Sequence, residues 1–307
     1  MFWPGQPSGS SDWSKHVSDD GAASFASKYG PWALVAGASD GLGEAFAHEL
    51  ARRGLNVVLL ARRGELLASV AADVERDHGV STQVVVADLT APELGGIVSL
   101  GLAGLEIGLL VYNAGAVHGA AKFLDRSLQD THTLINLNCH GPATLAHLLG
   151  QPMRERGRGG MVFMSSMAAL AGSAYIATYA ATKAFDIIFA EALWQEMQGD
   201  GIDVVSVIAG ATDTPAMRRS LETFGDRSDL AEPSFVAMEA LNALGVGPTC
   251  VPGEGNRQAA AYLWPRSRVA LSTMMSQATA EMYAMEAIGA TGRDFSDFGD
   301  VGEVTKE

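Results

Sequence analysis

Tyr179 and Lys183 stand four residues apart in the segment YAATK, a spacing that on a helix sets both side chains on one face and within reach of each other. A phenol ordinarily keeps its proton to about pH 10. An ammonium beside it favours the phenolate, which makes a tyrosine able to give or take a proton near neutrality. The apolar run 161–164 ends in Ser165 and Ser166, and a hydroxyl delivered from that strand end would hydrogen-bond the substrate oxygen that the tyrosine serves. This is proton-transfer chemistry for a carbonyl or an alcohol, and its meaning depends on the elements that position it.

Those elements alternate. The sequence predicts short apolar strands over 33–36, 56–61, 83–87, 107–112, 161–164 and 203–208, each followed by helical spacing. One long helix is expected over 130–156, bent at Pro142 and ending near Pro152, and another carries Tyr179 to Met197. Near-continuous apolar strands separated by helices imply a doubly wound parallel α/β sheet of Rossmann type, with helices on both faces. Past residue 208 the alternation loosens into a short mobile helix and loop over 214–225, a helix over 233–244, a last short strand over 248–252 and a helical stretch over 268–288. On that last stretch Met275, Ala278, Met282 and Met285 form one stripe, read as core or subunit packing ahead of a lid over a greasy substrate. The expected division is a loosely ordered leader over 1–30, a catalytic domain over 31–256, a helical C-terminal extension over 257–290 and an acidic tail over 291–307.

Composition narrows the class. Of 307 residues 48% are hydrophobic and 18% charged, enough apolar material for a large globular core. The net charge of −14 repels nucleic acid and anionic membranes. No window approaches a membrane-spanning apolar run, and the N-terminus lacks a secretory pattern. Cys139 and Cys250 are unpaired by spacing, as suits reduced thiols in the cytoplasm. The seven histidines, His118, His140 and His147 among them, show no metal-ligand spacing, and no metal is expected.

Between the first strand and the first helix runs Gly37-Ala38-Ser39-Asp40-Gly41-Leu42-Gly43. Glycines there permit a tight turn and let a pyrophosphate approach the helix N-terminus, whose first N–H groups lack partners. The second strand closes on Ala61-Arg62-Arg63. An acid at that point would take the adenosine ribose hydroxyls and select NAD, whereas guanidinium groups pair with a 2′-phosphate. NADP(H) is therefore the expected cofactor, with NAD(H) possible because the Asp40 carboxylate opposes a 2′-phosphate. Asp88 and Leu89 close the third strand, where an Asp reaches towards the adenine amino group; Asn113, Ala114 and Gly115 close the fourth, leaving room beside the cofactor.

In this order, on one alternating chain, these motifs resemble the short-chain dehydrogenase/reductase family over roughly residues 31–252. The resemblance implies reversible hydride transfer between NAD(P) and a carbonyl or secondary alcohol, in dimers or tetramers. It implies Tyr179 as general acid/base, Lys183 as the residue that holds the nicotinamide ribose and supports the tyrosine, and Ser166 as the substrate-polarising hydroxyl. Asn138-Cys139-His140-Gly141 is similar to the family's Asn-x-x-Gly, which makes Asn138 a fourth member, relaying protons from Lys183, with Asn136 as its competitor. Three departures stand out: Ala36 replaces a Thr, Tyr112 an Asn in Asn-Asn-Ala-Gly, and Ala209-Gly210 a Pro-Gly. Gly210, Thr212 and Thr214 follow as cofactor contacts. Substrate choice is expected in the loops 118–123, 167–175 and 217–224, where Tyr175 and Phe224 suit a steroid, aromatic ketone or fatty chain. The competing reading is a non-catalytic NADP(H) sensor or interaction protein using the acidic tail and the Met-rich helix.

Overall fold

The computed structural model describes residues 19–116, 119–224 and 230–286. The chain runs through α1 (Asp19–Tyr29), β1 (Trp32–Ala36), α2 (Gly41–Arg52), β2 (Asn56–Ala61), α3 (Gly64–His78), β3 (Thr82–Val86), α4 (Leu94–Gly101) and β4 (Ile107–Tyr112). There follow α5 (Leu128–Ile135), one π-helical turn (Asn136–His140), α6 (Gly141–Arg156), β5 (Gly159–Ser166), α7 (Ala177–Met197) and β6 (Ile202–Ala209). The described part ends with α8 (Pro215–Phe224), α9 (Pro233–Asn242), β7 (Thr249–Cys250), α10 (Glu254–Leu263) and α11 (Arg268–Met282).

The strands form one parallel seven-stranded sheet in the order β3-β2-β1-β4-β5-β6-β7. Alternate residues of each strand serve opposite cores, as the pleat requires. Ala33, Val35, Val57 and Leu59 pack with the helix side that holds Phe46, Leu50 and Val236. Leu34, Ala36, Val58 and Leu60 pack with Leu145, Leu149 and Met153. Both faces being covered, the strands read as unbroken apolar runs, and truncating one fully buried leucine such as Leu34 to Ala costs about 2–5 kcal/mol. Strand order reverses between β1 and β4, and the crevice at their carboxyl ends is where such sheets bind ligands.

Several expectations are corrected here. Residues 19–29 of the expected loose leader form α1. This helix is tied to the sheet: the hydroxyl of Tyr29, a buried residue, donates to Asp203 Oδ2 at 2.5 Å, Lys28 pairs with the same carboxylate, and Arg158 donates to the Gly30 carbonyl at 2.8 Å. Residues 1–18 lie outside the described residues, as does the acidic tail over 291–307. The expected helix 130–156 is two helices joined by the π turn, and it continues through Pro152 to Arg156, where Gly157 at φ 67° terminates it. The Met stripe on α11 is not its buried face, which carries Leu271, Thr279 and Ala280. Instead α11 is stitched by polar contacts to the loop after β5: Ser173 Oγ lies 2.7 Å from Thr279 Oγ1, Ala174 N donates to Ser276 Oγ, and Ser272 Oγ donates to the Gly172 carbonyl.

Candidate active site

The glycine turn leaves β1 at Ala36 and enters α2 at Gly41. Gly37 adopts φ +85°, and a Cβ there would lie 2.8 Å from Ala114 Cα. A Cβ at Gly43 would lie 2.0 Å from the Gly37 carbonyl oxygen, so both positions exclude a side chain. Asn113 Nδ2 donates to that same carbonyl at 3.1 Å and clamps the turn to the end of β4. Asp40 precedes α2 without capping it through its side chain, which leaves the first N–H groups of the helix to an anionic ligand.

Asp40 is instead engaged by Arg63, whose Nη2 lies 2.9 Å from Asp40 Oδ2 and donates to Ser39 Oγ at 2.5 Å. The carboxylate that seemed to oppose a 2′-phosphate is thus neutralised beside Arg63, and Arg62 lies exposed next to it. Asp88 Oδ1 accepts from Thr90 N at 2.9 Å and Thr90 Oγ1 at 2.8 Å. The backbone bond from Thr90, with a smaller contribution from Arg62, holds the Asp88 carboxyl below the usual range. The Leu89 side chain is buried in the core, which leaves only its backbone for a ligand. After β6, a Cβ at Gly210 would lie 2.4 Å from Asn256 Oδ1 of α10. Thr212, buried, donates to the Gly210 carbonyl at 3.2 Å, and Thr214 Oγ1 accepts from Met217 N, starting α8. Thr214 also abuts the glycine turn, because a Cβ at Gly41 would lie 3.1 Å from its Cβ. Glycine cradle, open helix N-terminus and an arginine poised at the ribose end fit a dinucleotide.

Across the crevice, β5 ends in Ser165 and Ser166 beside Ile208 and Ala209 of β6. Ser166 Oγ accepts from Ala168 N at 3.2 Å, and Ser165 Oγ donates to the Lys183 carbonyl at 2.7 Å, fixing α7 to the strand. Tyr179 lies in the first turn of α7, and Lys183, one turn on, is buried with its Nζ donating to the Met164 carbonyl at 2.7 Å and to Asp186 Oδ2 at 3.0 Å. Burial alone would lower the Lys183 pKa, but Asp186, then Tyr179, hold it above its ordinary value. Asn138 is fully buried; its Nδ2 donates to Thr182 Oγ1 at 2.9 Å, and its Oδ1 has no hydrogen-bond partner among the described residues. A Cβ on Gly115 would lie 3.1 Å from Lys183 Nζ and 3.6 Å from Asn138 Oδ1, so Gly115, Lys183 and Asn138 converge on one point. Asn136, the competitor, is only partly buried and Asn138 is the residue at that point.

The π turn places Asn138. Pro142 has no N–H for the carbonyl four residues back, and the Leu137 carbonyl accepts from the Tyr112 hydroxyl at 2.6 Å. A Cβ on Gly141 would lie 2.0 Å from Tyr112 Oη, so the glycine that closes Asn-x-x-Gly is what admits Tyr112 to the bend. Single π turns inside helices recur at functional sites.

Beside Tyr179 a depression is lined by Ala121, Phe123, Arg126, Leu134, Tyr175 and Ile176. Tyr175 is buried at φ 67°, and its hydroxyl donates to the Glu286 carbonyl at 2.5 Å, so only its ring faces a ligand. Tyr283, just past α11, has its pKa raised by burial and then by Tyr179, with Arg126 opposing. Sequence reasoning missed Arg126, Tyr283 and Asp186; of these only Asp186 had a signal, an acid three residues after Lys183 on a helix. His118 and the side chain of Phe224 lie outside what the structure describes. Among the described residues no group of three or more His, Cys, Asp or Glu could hold a metal ion.

The family model described as short chain dehydrogenase matches residues 31–224. The chain belongs to the short-chain dehydrogenase family. It is 31% identical over 235 residues to the 7beta-hydroxysteroid dehydrogenase of Collinsella aerofaciens, covering 75% of this chain and 89% of that one. It is 37% identical over 183 residues to the very-long-chain 3-oxoacyl-CoA reductase of Laccaria bicolor, covering 59% of this chain and 54% of that one. Among solved structures, a 7beta-hydroxysteroid dehydrogenase superposes with a TM-score of 0.76 at 29% identity, covering 82% of this chain and 98% of that one. A short-chain dehydrogenase from Sphingobium yanoikuyae in complex with NADPH superposes at 0.67 and 29% identity, covering 76% and 92%. The protein is accordingly an NAD(P)-linked oxidoreductase acting on CH–OH or C=O groups of a small molecule.

Proposed function

We infer that this short-chain dehydrogenase uses NADP(H) to interconvert a ketone and a secondary alcohol on a bulky hydrophobic substrate of steroid, aromatic ketone or fatty acyl type. The observation that carries the reading is the convergence of buried Lys183 and buried Asn138 beside Gly115 at the carboxyl ends of β4 and β5, with Tyr179 one helical turn before Lys183 on α7. The nicotinamide, when bound, supplies or accepts the hydride. The chain's residues do the rest. Tyr179 gives the carbonyl oxygen its proton, or takes one from the alcohol. Ser166, at the end of β5, hydrogen-bonds that oxygen as its charge develops. Lys183 presents a buried ammonium with one N–H not taken by Met164 or Asp186, which would hold the nicotinamide ribose, and Asn138 would offer its open Oδ1 to a proton path behind it.

The preference for NADP(H) rests on Arg63, which spans Ser39 and Asp40, with Arg62 exposed beside it, and the NADPH-bound relative supports it. The hydrophobic substrate class rests on the steroid and 3-oxoacyl-CoA relatives, which act on compounds of that kind by name, and the side chains of Phe123, Leu134, Tyr175 and Ile176 in the small depression beside Tyr179 are apolar in keeping with it. We propose the cytoplasm as its compartment, where its two free cysteines, Cys139 and Cys250, stay reduced. No helix among the described residues is long and apolar enough to cross a membrane.

Fluorescence titration with NADPH and NADH tests the cofactor end. NADPH should bind more tightly than NADH; Arg63→Ala should remove most of that preference, about tenfold or more for a lost charge-assisted pair, and Arg62→Ala a smaller part. Equal affinity for the two nucleotides in the unmodified protein would overturn it. A panel of bulky and small ketones then tests the substrate end, with turnover confined to the bulky ones as the expected result.

A further inference from the structure

Asp186 lies one turn beyond Lys183 on α7 and is 2% exposed. Its Oδ2 takes the Lys183 ammonium at 3.0 Å, while its Oδ1 has no hydrogen-bond partner among the described residues. A carboxylate removed from water with one oxygen unsatisfied is costly, and the pairing repays that cost only in part. Accordingly burial lifts the Asp186 carboxyl to about 6 despite Lys183. The groups that face it are few. Lys183 comes from its own helix, the Cys139 thiol from the π turn and the Tyr112 hydroxyl from β4, and both of the latter have their pKa values raised by burial and then by Asp186. Tyr179 sits one turn before Lys183, and its effect on Lys183 is the next strongest charge effect after that of Asp186. A line of charge therefore runs from Asp186 through Lys183 to Tyr179.

Such a group is no proton exit, because it is sealed from solvent. We propose that Asp186 is a positioning residue for the reaction: its carboxylate holds the Lys183 ammonium against β5 and sets how much of that positive charge Tyr179 experiences. An ammonium has three donors; Met164 and Asp186 take two, which orients the third towards the Gly115 and Asn138 side, where a Cβ on Gly115 would meet it. Partial neutralisation by Asp186 means that the paired lysine favours the phenolate form of its neighbour less than an uncompensated lysine would. The idea rests on the catalytic roles assigned above to Tyr179 and Lys183.

Two measurements test it. In Asp186→Asn the charge on Lys183 is uncompensated, so the phenolate is favoured, and the pH limb of kcat/KM should move to lower pH in both directions of turnover. The expected displacement is about one unit, the lower end of what a nearby charge produces. A purely structural role would scale the profile down without displacing it, and that result overturns the proposal.

The second measurement is thermal melting of the full chain against pH, which does not require turnover. Lys183→Met leaves an unpartnered buried carboxylate, a group whose folded pKa is raised. Its stability contribution is present at low pH and lost as pH rises through the raised value. The variant should match the unmodified protein near about pH 5 and melt several degrees lower near about pH 8, with the difference abolished in Lys183→Met/Asp186→Asn. A Lys183→Met penalty that is independent of pH, or that persists in the double variant, overturns the pairing. If melting behaves as expected while no ketone or alcohol is turned over, the functional reading fails and the pair stands.

Discussion

At Gly115 the missing side chain bears on the proposed chemistry. A Cβ there would lie 3.1 Å from Lys183 Nζ and 3.6 Å from Asn138 Oδ1, and the lysine's flexible stem rather than the backbone would have to give. Gly115→Ala should therefore fold with an unchanged circular dichroism spectrum but turn over ketone roughly tenfold to a hundredfold more slowly, because displacing a positioned group by about 1 Å costs on that order. Steady-state kinetics that match the unmodified enzyme would show that the approach is not used. The residues we propose as reacting stand out in the sequence because the proposed chemistry demands fixed types at fixed offsets: Tyr179 four before Lys183, Ser166 at a strand end, glycines where a turn meets a helix. Asp186 was not, since a lysine and an acid three apart on a helix usually face water, and only burial gives the pair its meaning. Nor does a sequence show which of two adjacent arginines reaches the glycine turn. Arg63 reaches Ser39 and Asp40, and that contact removes the objection Asp40 raised.

The bend between α5 and α6 shows what elements add to residues. The sequence marked Pro142 as the kink and Asn138 as a helix residue; the irregularity is the π turn just before the proline, where the missing Pro142 N–H coincides with a partner on β4. Tyr112, the departure from the family's Asn-Asn-Ala-Gly, fills that bend with its hydroxyl on the Leu137 carbonyl, and Gly141 makes room for it. Gly141→Ala should cost about 1–3 kcal/mol as an overpacked site and lower turnover with it, because the same turn carries Asn138. The loss should shrink in a Tyr112→Phe background, where the closest clashing atom is gone; a double-mutant cycle by chemical denaturation reads that coupling, and strict additivity would separate Tyr112 from the bend. Pairwise relations of this kind, like the seam between α11 and residues 172–174, join positions far apart in the chain. No periodicity announces them. The strands were legible for the opposite reason, since covering a sheet on both faces writes itself into each strand's own composition.

On the scale of the whole molecule, two opposing terms meet. A net charge of −14 makes copies of the chain repel one another. Yet α5 and α7, which pack together, and the short 3-10 turn before α5 expose Leu124 at 90%, Leu128 at 66%, Ile188 at 65% and Phe123 at 52%, while Phe189, Leu193 and Trp194 turn inward to the core. We propose that a second copy covers these apolar side chains, using the same two helices with closed two-fold symmetry. The unmodified protein should therefore elute as a dimer or larger at micromolar concentration, and Ile188→Glu should shift it towards the monomer. Because the attraction is apolar and the repulsion electrostatic, added salt screens only the second. Association should tighten as ionic strength rises, the opposite of an interface held by ion pairs, and sedimentation at low and high salt reads the sign directly. A mass of one chain at every salt concentration would leave those side chains to a different partner.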